Sequence, residues 1–420
     1  MLFSLRKNPL RFIERLAHRY GDVAYFRIGP QRVYLLNHPD LVRELLVVQD
    51  EHCIKGRGLQ IAKRLLGEGL LTSEGELHKR QRALMQPVFH KQKVTAFAEL
   101  MAEFALRTSQ GWESGTRLEM GEEMSRLTLA IVARALFETS VDQQREAEEI
   151  GRALTDARYL FMQASIPGFL LLEKVIPPLR RRFERIKSRL DTTVQAIIAE
   201  HRANPELHQD LLSRLLETPM SDQQVRDEVM TLFLAGHETT AAAMSWTLHL
   251  LSHNPEWADR LAVELRSELG SELPRAEQVL RLPLLSAVLA ESLRLFPPAW
   301  VMGRRITREL EFGGYRFPRN SLLLASQWTV QRDERWYPDP LRFDPDRWKP
   351  ELRAQRPRYA YFPFGGGSRV CVGEHFAWLE AALLLAVLAR DWRFHPAGKV
   401  RPDPSITLRP VRLDLVLERR

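Results

Sequence analysis

Cysteine is nearly absent from this chain: Cys53 and Cys371 are the only two in 420 residues, far apart and in unlike settings. That excludes a disulfide framework, suits a reducing compartment and leaves at least one thiol free for chemistry. Long apolar runs are missing as well. The opening Met1-Leu2-Phe3-Ser4-Leu5-Arg6-Lys7-Asn8-Pro9 is interrupted by charge and proline too soon to be a signal peptide or a membrane anchor, so a soluble, cytoplasmic protein with no transmembrane anchor is expected. Internal repeats, low-complexity linkers and abrupt shifts of composition are also lacking, which predicts a single domain over residues 1–420.

What is present suits a large core, with 45% hydrophobic and 27% charged residues. The net charge of +8 is compatible with an anionic partner of some kind, or with basic residues spread over a solvated surface. Pro9 to Tyr20 has helical apolar spacing. Val23 to Ile28 and Arg32 to Leu36 read as a hairpin across Gly29-Pro30. From about residue 75 to residue 295 the pattern is helical, broken at Ile166-Pro167-Gly168 and Ile176-Pro177-Pro178, and after Pro297 strands return. The fold class expected is mainly α with a minor β region, one large helical domain with a small sheet on its N-terminal side.

The most informative stretch is Phe364-Gly365-Gly366-Gly367-Ser368-Arg369-Val370-Cys371-Val372-Gly373, where a glycine-rich loop delivers one cysteine into an apolar helix, Phe376 to Ala389. Such a loop lets backbone approach a flat ligand. Loop amides and the positive end of the following helix are expected to favour the Cys371 thiolate, which can hold the iron of a haem. Phe364 can shield the sulfur, and Arg369 is long enough to reach a haem propionate. A turn carrying an inert buried cysteine is the competing reading.

The loop fits F-x-x-G-x-R-x-C-x-G and thereby resembles the haem-binding signature of the cytochrome P-450 enzymes, with Ala377 and Glu380 continuing the match. The resemblance extends over nearly the whole chain and implies haem b, the cytochrome P-450 fold, and a haem-binding loop at 364–373. On a helix expected over about 221–252, Ala235-Gly236-His237-Glu238-Thr239-Thr240 resembles the family motif A-G-x-[DE]-T-T, which implies Thr239 as the oxygen-activating alcohol and Glu238 as its acidic partner. Gly236 is expected to thin that helix for a ligand. Glu291 and Arg294, three residues apart on one helical face, with Arg347 from Phe343-Asp344-Pro345-Asp346-Arg347-Trp348, imply a buried structural triad. His78, where many relatives have tryptophan, and Arg82 lie on one helix face as propionate partners; Arg304 is a third, with Arg305 its close competitor. Around the haem the resemblance thus puts Phe364, Gly365, Arg369, Cys371, Gly373, His78, Arg82, Arg304 and Ala235. Gln331 replaces a histidine common among relatives, with no functional meaning attached to it, and Cys53 is left without a role.

The implied activity is a haem-thiolate monooxygenase that inserts one oxygen atom from O2 into its substrate. Separate partners, a ferredoxin or flavodoxin with its NAD(P)H-dependent reductase, would supply electrons, and nucleic acid is not an expected partner. Two alternatives are a peroxygenase using hydrogen peroxide, disfavoured because Glu238-Thr239 is kept, and a non-catalytic haem sensor. The segments that the resemblance puts around the substrate are Leu59 to Leu71, Tyr159 to Leu172, Leu234 with Ala235, Trp300 to Met302, and Ile406. They are nearly all apolar, with no arginine or lysine between 159 and 172, which predicts a large uncharged lipid-like substrate such as a terpenoid, carotenoid or steroid. Phe296-Pro297-Pro298-Ala299-Trp300 and Tyr361-Phe362-Pro363-Phe364 also resemble motifs of bacterial carotenoid-hydroxylating members.

Overall fold

The computed structural model describes residue 5 and residues 7–137, 177–207 and 210–420. Helix α1 spans Pro9–Tyr20. The Asn8 side chain accepts from the Arg11 N–H at 3.0 Å, and proline sits at the first position, where its missing N–H costs nothing. Strands β1 (Val23–Ile28) and β2 (Gln31–Leu36) form the expected hairpin, in register Val23 with Leu36. Strand β3 (Cys53–Lys55) leads into α2 (Arg57–Leu66) and α3 (Gly75–Met85). Then come α4 (Ala98–Gln110), β4 (Arg117–Glu119), α5 (Met120–Phe137) and α6 (Pro177–Ala203).

The axis of the molecule is α7, 32 residues from Asp222 to His253. Ser221 and Gln224 close a capping box at its start, each bond 3.3 Å long. From Val225 to Ser252 it is buried on almost every side, as a helix must be when its apolar residues wrap the whole surface. Helices α8 (Pro255–Leu269) and α9 (Pro283–Leu295) pack around it. Strands β5 (Met302–Ile306), β6 (Leu310–Phe312), β7 (Tyr315–Phe317) and β8 (Leu322–Ala325) follow. After a long irregular segment α10 (Glu374–Asp391) runs back through the core, with an unbroken buried stretch from Leu379 to Arg390. Strands β9 (Trp392–Pro396), β10 (Pro402–Pro404), β11 (Leu408–Pro410) and β12 (Asp414–Arg419) end the chain.

The main sheet has order β1-β2-β8-β5-β3, with β2 and β8 parallel and the other pairs antiparallel. The N-terminal hairpin expected from sequence is therefore only one edge of it; β5 and β8 come from far along the chain. Among the described residues no helix is long and apolar enough to cross a membrane.

Candidate active site

The glycine loop wraps its cysteine in backbone hydrogen bonds. The Cys371 N–H donates to the Phe364 carbonyl at 2.9 Å, and the Gly365 N–H donates to the Phe362 carbonyl, also at 2.9 Å. Gly367 adopts φ +69°, and a Cβ there would stand 1.9 Å from the Leu46 carbonyl oxygen, so only glycine lets the loop pass this close to the 44–48 helical turn. The half-buried Phe364 ring meets Trp378 edge-on at 6.5 Å. Cys371 keeps accessible surface, yet protein surrounds it closely enough for burial to push its thiol up to about 11. Both hold for a side chain on the floor of a cleft. The Gly373 N–H and Arg82 oppose the rise without overcoming it. The sequence expectation of a thiolate favoured by loop and helix dipoles is corrected here, because desolvation outweighs them; the charge of a metal is what would remove the proton.

Beside the cysteine lies a concentration of basic side chains drawn from four separate places: Lys55 on β3, His78 and Arg82 on α3, Arg304 on β5, and Arg369 in the loop. Lys55 and Arg304 are cross-strand partners. On β5 the side chains alternate, which buries Arg304 and exposes Arg305. Among the described residues the carboxylates that oppose this charge include Asp50, Glu74 and Glu228. Arg369 reaches Glu74 at 2.7 Å and Asp50 at 3.4 Å, yet its Nε and Nη1, and Nε of Arg304, are buried without a hydrogen-bond partner. Burial and the neighbouring cations, Lys55 foremost, push His78 down to about 4, which leaves a neutral ring with an N–H to donate. Arg82 braces the loop instead, donating from Nη1 to the Val370 carbonyl at 2.7 Å. A surplus of buried cationic donors next to a cysteine on a glycine loop is the environment that a haem with two carboxylates completes, so the residues present fit that group.

Lys55 was not read from the sequence as part of the site. Its Nζ donates to the carbonyls of Leu70 (2.9 Å) and Ser73 (2.6 Å), while the Leu70 N–H donates to Glu228 on α7 at 2.9 Å. Burial brings the lysine down to about 7 and the carboxyl up to about 7. Together they tie the 67–73 loop to both the sheet and α7.

In the middle of α7, Ala235 is exposed and Leu234, Glu238 and Thr239 are half-buried, a break in an otherwise buried helix. The Thr239 hydroxyl donates to the Ala235 carbonyl at 2.7 Å. Glu238 Oε1 accepts from Thr407 Oγ1 at 2.9 Å, another contact that sequence reasoning missed. Gly236 does not thin the helix for a ligand: a Cβ there would come within 3.0 Å of Val132 Cγ2, so the space belongs to α5. The Thr240 hydroxyl, one residue further, donates to the Gly236 carbonyl at 3.2 Å; burial carries the carboxyl of Glu380 on α10 up to about 8, and Thr240 offsets only part of that rise. Among the apolar segments, Leu65, Leu71, Leu234 and Ile406 are half-buried; Tyr159 to Leu172 lies outside the described residues.

A family model for cytochrome P-450 matches residues 1–416. The chain belongs to the cytochrome P-450 family. Among its relatives, cyclooctatin synthase of Streptomyces melanosporofaciens is 38% identical, over 97% of this chain and 91% of that protein. Cyclooctat-9-en-7-ol 5-monooxygenase of the same organism is 36% identical, over 96% and 88%. The crystal structure of the cytochrome P450DA heme domain superposes with a TM-score of 0.88 at 24% identity, covering 98% of this chain and 93% of that one, and shows the fold. This cytochrome P-450 is accordingly a monooxygenase, an oxidoreductase that works through haem iron.

Behind the loop of this cytochrome P-450, Glu291 and Arg294 on α9 form a fully buried bidentate pair at 2.7 and 2.8 Å, and Arg347 approaches Glu291 at 3.3 Å. Arg294 also donates to the carbonyls of Gln331 (2.8 Å) and Pro340 (2.7 Å), and Glu291 accepts from the Asp344 N–H (3.0 Å) and Trp348 Nε1 (3.0 Å). Gln331, which carried no meaning in the sequence, is wholly buried. Its amide donates to the Leu293 carbonyl at 3.0 Å and its oxygen accepts from the Phe362 N–H at 3.0 Å, fastening α9 to the strand of chain that enters the glycine loop.

Proposed function

We propose that the protein is a haem-thiolate monooxygenase in which Cys371 ligates the iron of haem b and one atom of O2 is inserted into a large, apolar, lipid-like substrate. The observation that carries this reading is the set of guanidinium nitrogens of Arg304 and Arg369 that are buried without a hydrogen bond, next to a cysteine whose surface is open. Arg304, Arg369 and His78 would hold the propionates, while Arg82 fixes the loop backbone at Val370. When bound, the haem would supply oxygen activation, with the Cys371 thiolate as its electron-rich ligand. The chain's own residues then do the rest. Glu238 carries protons inward, the Thr239 hydroxyl holds one at the oxygen side, and the apolar walls exclude water and position the substrate. Electrons would come from a ferredoxin or flavodoxin with its NAD(P)H-dependent reductase, docking near the exposed Lys79 and Arg80.

The apolar lining supports a substrate without charge, and the relative named as a monooxygenase of cyclooctat-9-en-7-ol supports the same chemical class. The ligand assignment is tested by reducing the protein under carbon monoxide. Wild type should show the strongly red-shifted Soret band of thiolate ligation and Cys371→His should lack it; a variant that retains the band overturns the assignment. For the substrate, titration with terpenoids, carotenoids, steroids and small polar acids should shift the spin state with the lipids, and a response to the acids alone would overturn that part.

A further inference from the structure

We propose that Thr407 is a positioning residue for Glu238, holding the ionised carboxylate at a resting station away from Thr239, so that the acid delivers a proton by turning from one station to the other. The inference rests on the reading of Glu238 as a proton carrier given above. A carboxylate half-way along a buried helix needs a hydrogen-bond donor. The donor here is not its neighbour Thr239, whose hydroxyl is committed to the Ala235 carbonyl at 2.7 Å, and no hydrogen bond joins Glu238 to Thr239. It is Thr407 Oγ1, at 2.9 Å, from the connection between β10 and β11. Successive residues on a helix point about 100° apart, so the two members of the acid and alcohol pair face different surroundings.

Of the two partners, Thr407 is the fixed one. The next residue, Leu408, is clamped by its backbone on both sides: its N–H donates to the Pro298 carbonyl at 2.8 Å and its carbonyl accepts from Trp246 Nε1 of α7 at 3.0 Å. Thr407 itself is buried, and it has one rotatable side-chain bond against three in glutamate. The strength of its bond depends on the state of the acid. A hydroxyl donating to a carboxylate makes a charge-assisted bond roughly twice as strong as the neutral one that remains once the acid is protonated. Loading a proton therefore weakens the hold of Thr407 and frees Glu238 to turn, and losing the proton returns it. The device makes the acid leave its station when it has something to deliver.

The test uses the haem-loaded full chain with its reductase system and whichever lipid of the panel shifts the spin state. Thr407→Val keeps the shape and removes the donor; Thr407→Ser restores the donor in a smaller side chain. For Thr407→Val, substrate affinity by difference spectrum should stay at the wild-type value while product formed per NAD(P)H falls about tenfold, the order expected for one charge-assisted hydrogen bond. Thr407→Ser should remain within about twofold of wild type. Independently of turnover, urea unfolding should show that Thr407→Val and Glu238→Gln are not additive, since both act on one bond, which valine removes and glutamine strips of its charge. Should valine disturb the connection and lower substrate affinity, Thr407→Ala takes its place in both measurements. Wild-type coupling in Thr407→Val alongside a loss in Glu238→Gln overturns the role of Thr407 and leaves the proposed function standing. Equal losses in the valine and serine variants with additive unfolding overturn it too, as a packing effect. Unchanged coupling in Glu238→Gln removes the underlying reading of the acid itself.

Discussion

Replacing Glu380 by glutamine should alter the way stability depends on pH. Glu380 lies on α10 with no accessible surface, and burial carries its carboxyl from an ordinary 4.5 up to about 8, the Thr240 hydroxyl offsetting only part of that rise. Between those two values the folded protein binds one proton that the unfolded chain has already lost, so stability declines as pH rises: the contribution is intact below about 4.5 and exhausted above about 8. Each unit of separation corresponds to about 1.4 kcal/mol. From about pH 6 to about pH 8 the wild type therefore loses about 2 kcal/mol through this one group, the slope flattening as the carboxyl titrates. Glutamine has nearly the same shape and does not titrate. Urea unfolding of the haem-loaded protein and of Glu380→Gln, in buffers of equal ionic strength, should show the variant gaining on wild type by that amount across the interval. A difference constant to within about 0.5 kcal/mol would refute the reasoning, because it would mean that Glu380 ionises alike in both states.

The other predictions concern the residues beside the loop. Arg304→Leu should speed haem loss to an apo-myoglobin trap about tenfold, as for one lost charge-assisted contact, while Arg305→Leu leaves the rate unchanged, since only Arg304 is buried. Glu291→Ala strands the fully buried Arg294 and should cost about 3–5 kcal/mol in urea unfolding, or abolish soluble expression; a cost below about 1 kcal/mol would show that the carbonyls around Arg294 suffice. Reversing the exposed Lys79 and Arg80 to glutamate should slow reduction by an acidic ferredoxin and flatten its decline with salt, as read by stopped-flow absorbance, and an unaltered salt slope would place the docking face elsewhere.

Elements whose signal is local were legible in the sequence. Pro9–Tyr20 carries helical apolar spacing and forms the helix expected from it. Gly29-Pro30 between two apolar runs forms the hairpin turn. The central helix was expected over about 221–252 and runs from Asp222 to His253, where the structure shows Ser221 and Gln224 capping its start. What escaped notice depends on partners distant along the chain. The pairing of β2 with β8 joins Val33 to Leu322, and nothing in either short apolar run names the other. Lys55 belongs to a three-residue strand, and its place among the cations follows from cross-strand pairing with Arg304. Thr407 is one hydroxyl in a bend until the fold brings it to Glu238, 169 residues away. Gly236 was misread because its neighbour Val132 belongs to another helix. The thiol of Cys371 was misjudged for a different reason: helix and loop dipoles are visible in sequence, whereas the desolvation that outweighs them appears only with the packed chain.

The parallel pairing of β2 with β8 also bears on how the protein is made. Strand β2 leaves the ribosome early with one edge filled by β1 and the other open, and the strand that fills it is synthesised roughly 300 residues later. At about 5–20 residues per second, that edge stands unpaired for about 15–60 s. During that wait Leu35 and Leu36, fully covered in the finished molecule, have no β8 beside them, and an open apolar strand edge is a template for foreign strands. The cationic nest has much the same timetable, because β5 arrives shortly before β8 and the glycine loop after it. Haem capture is thus a closing step of folding, and high-level expression at high temperature should accumulate aggregated chains that added haem does not rescue.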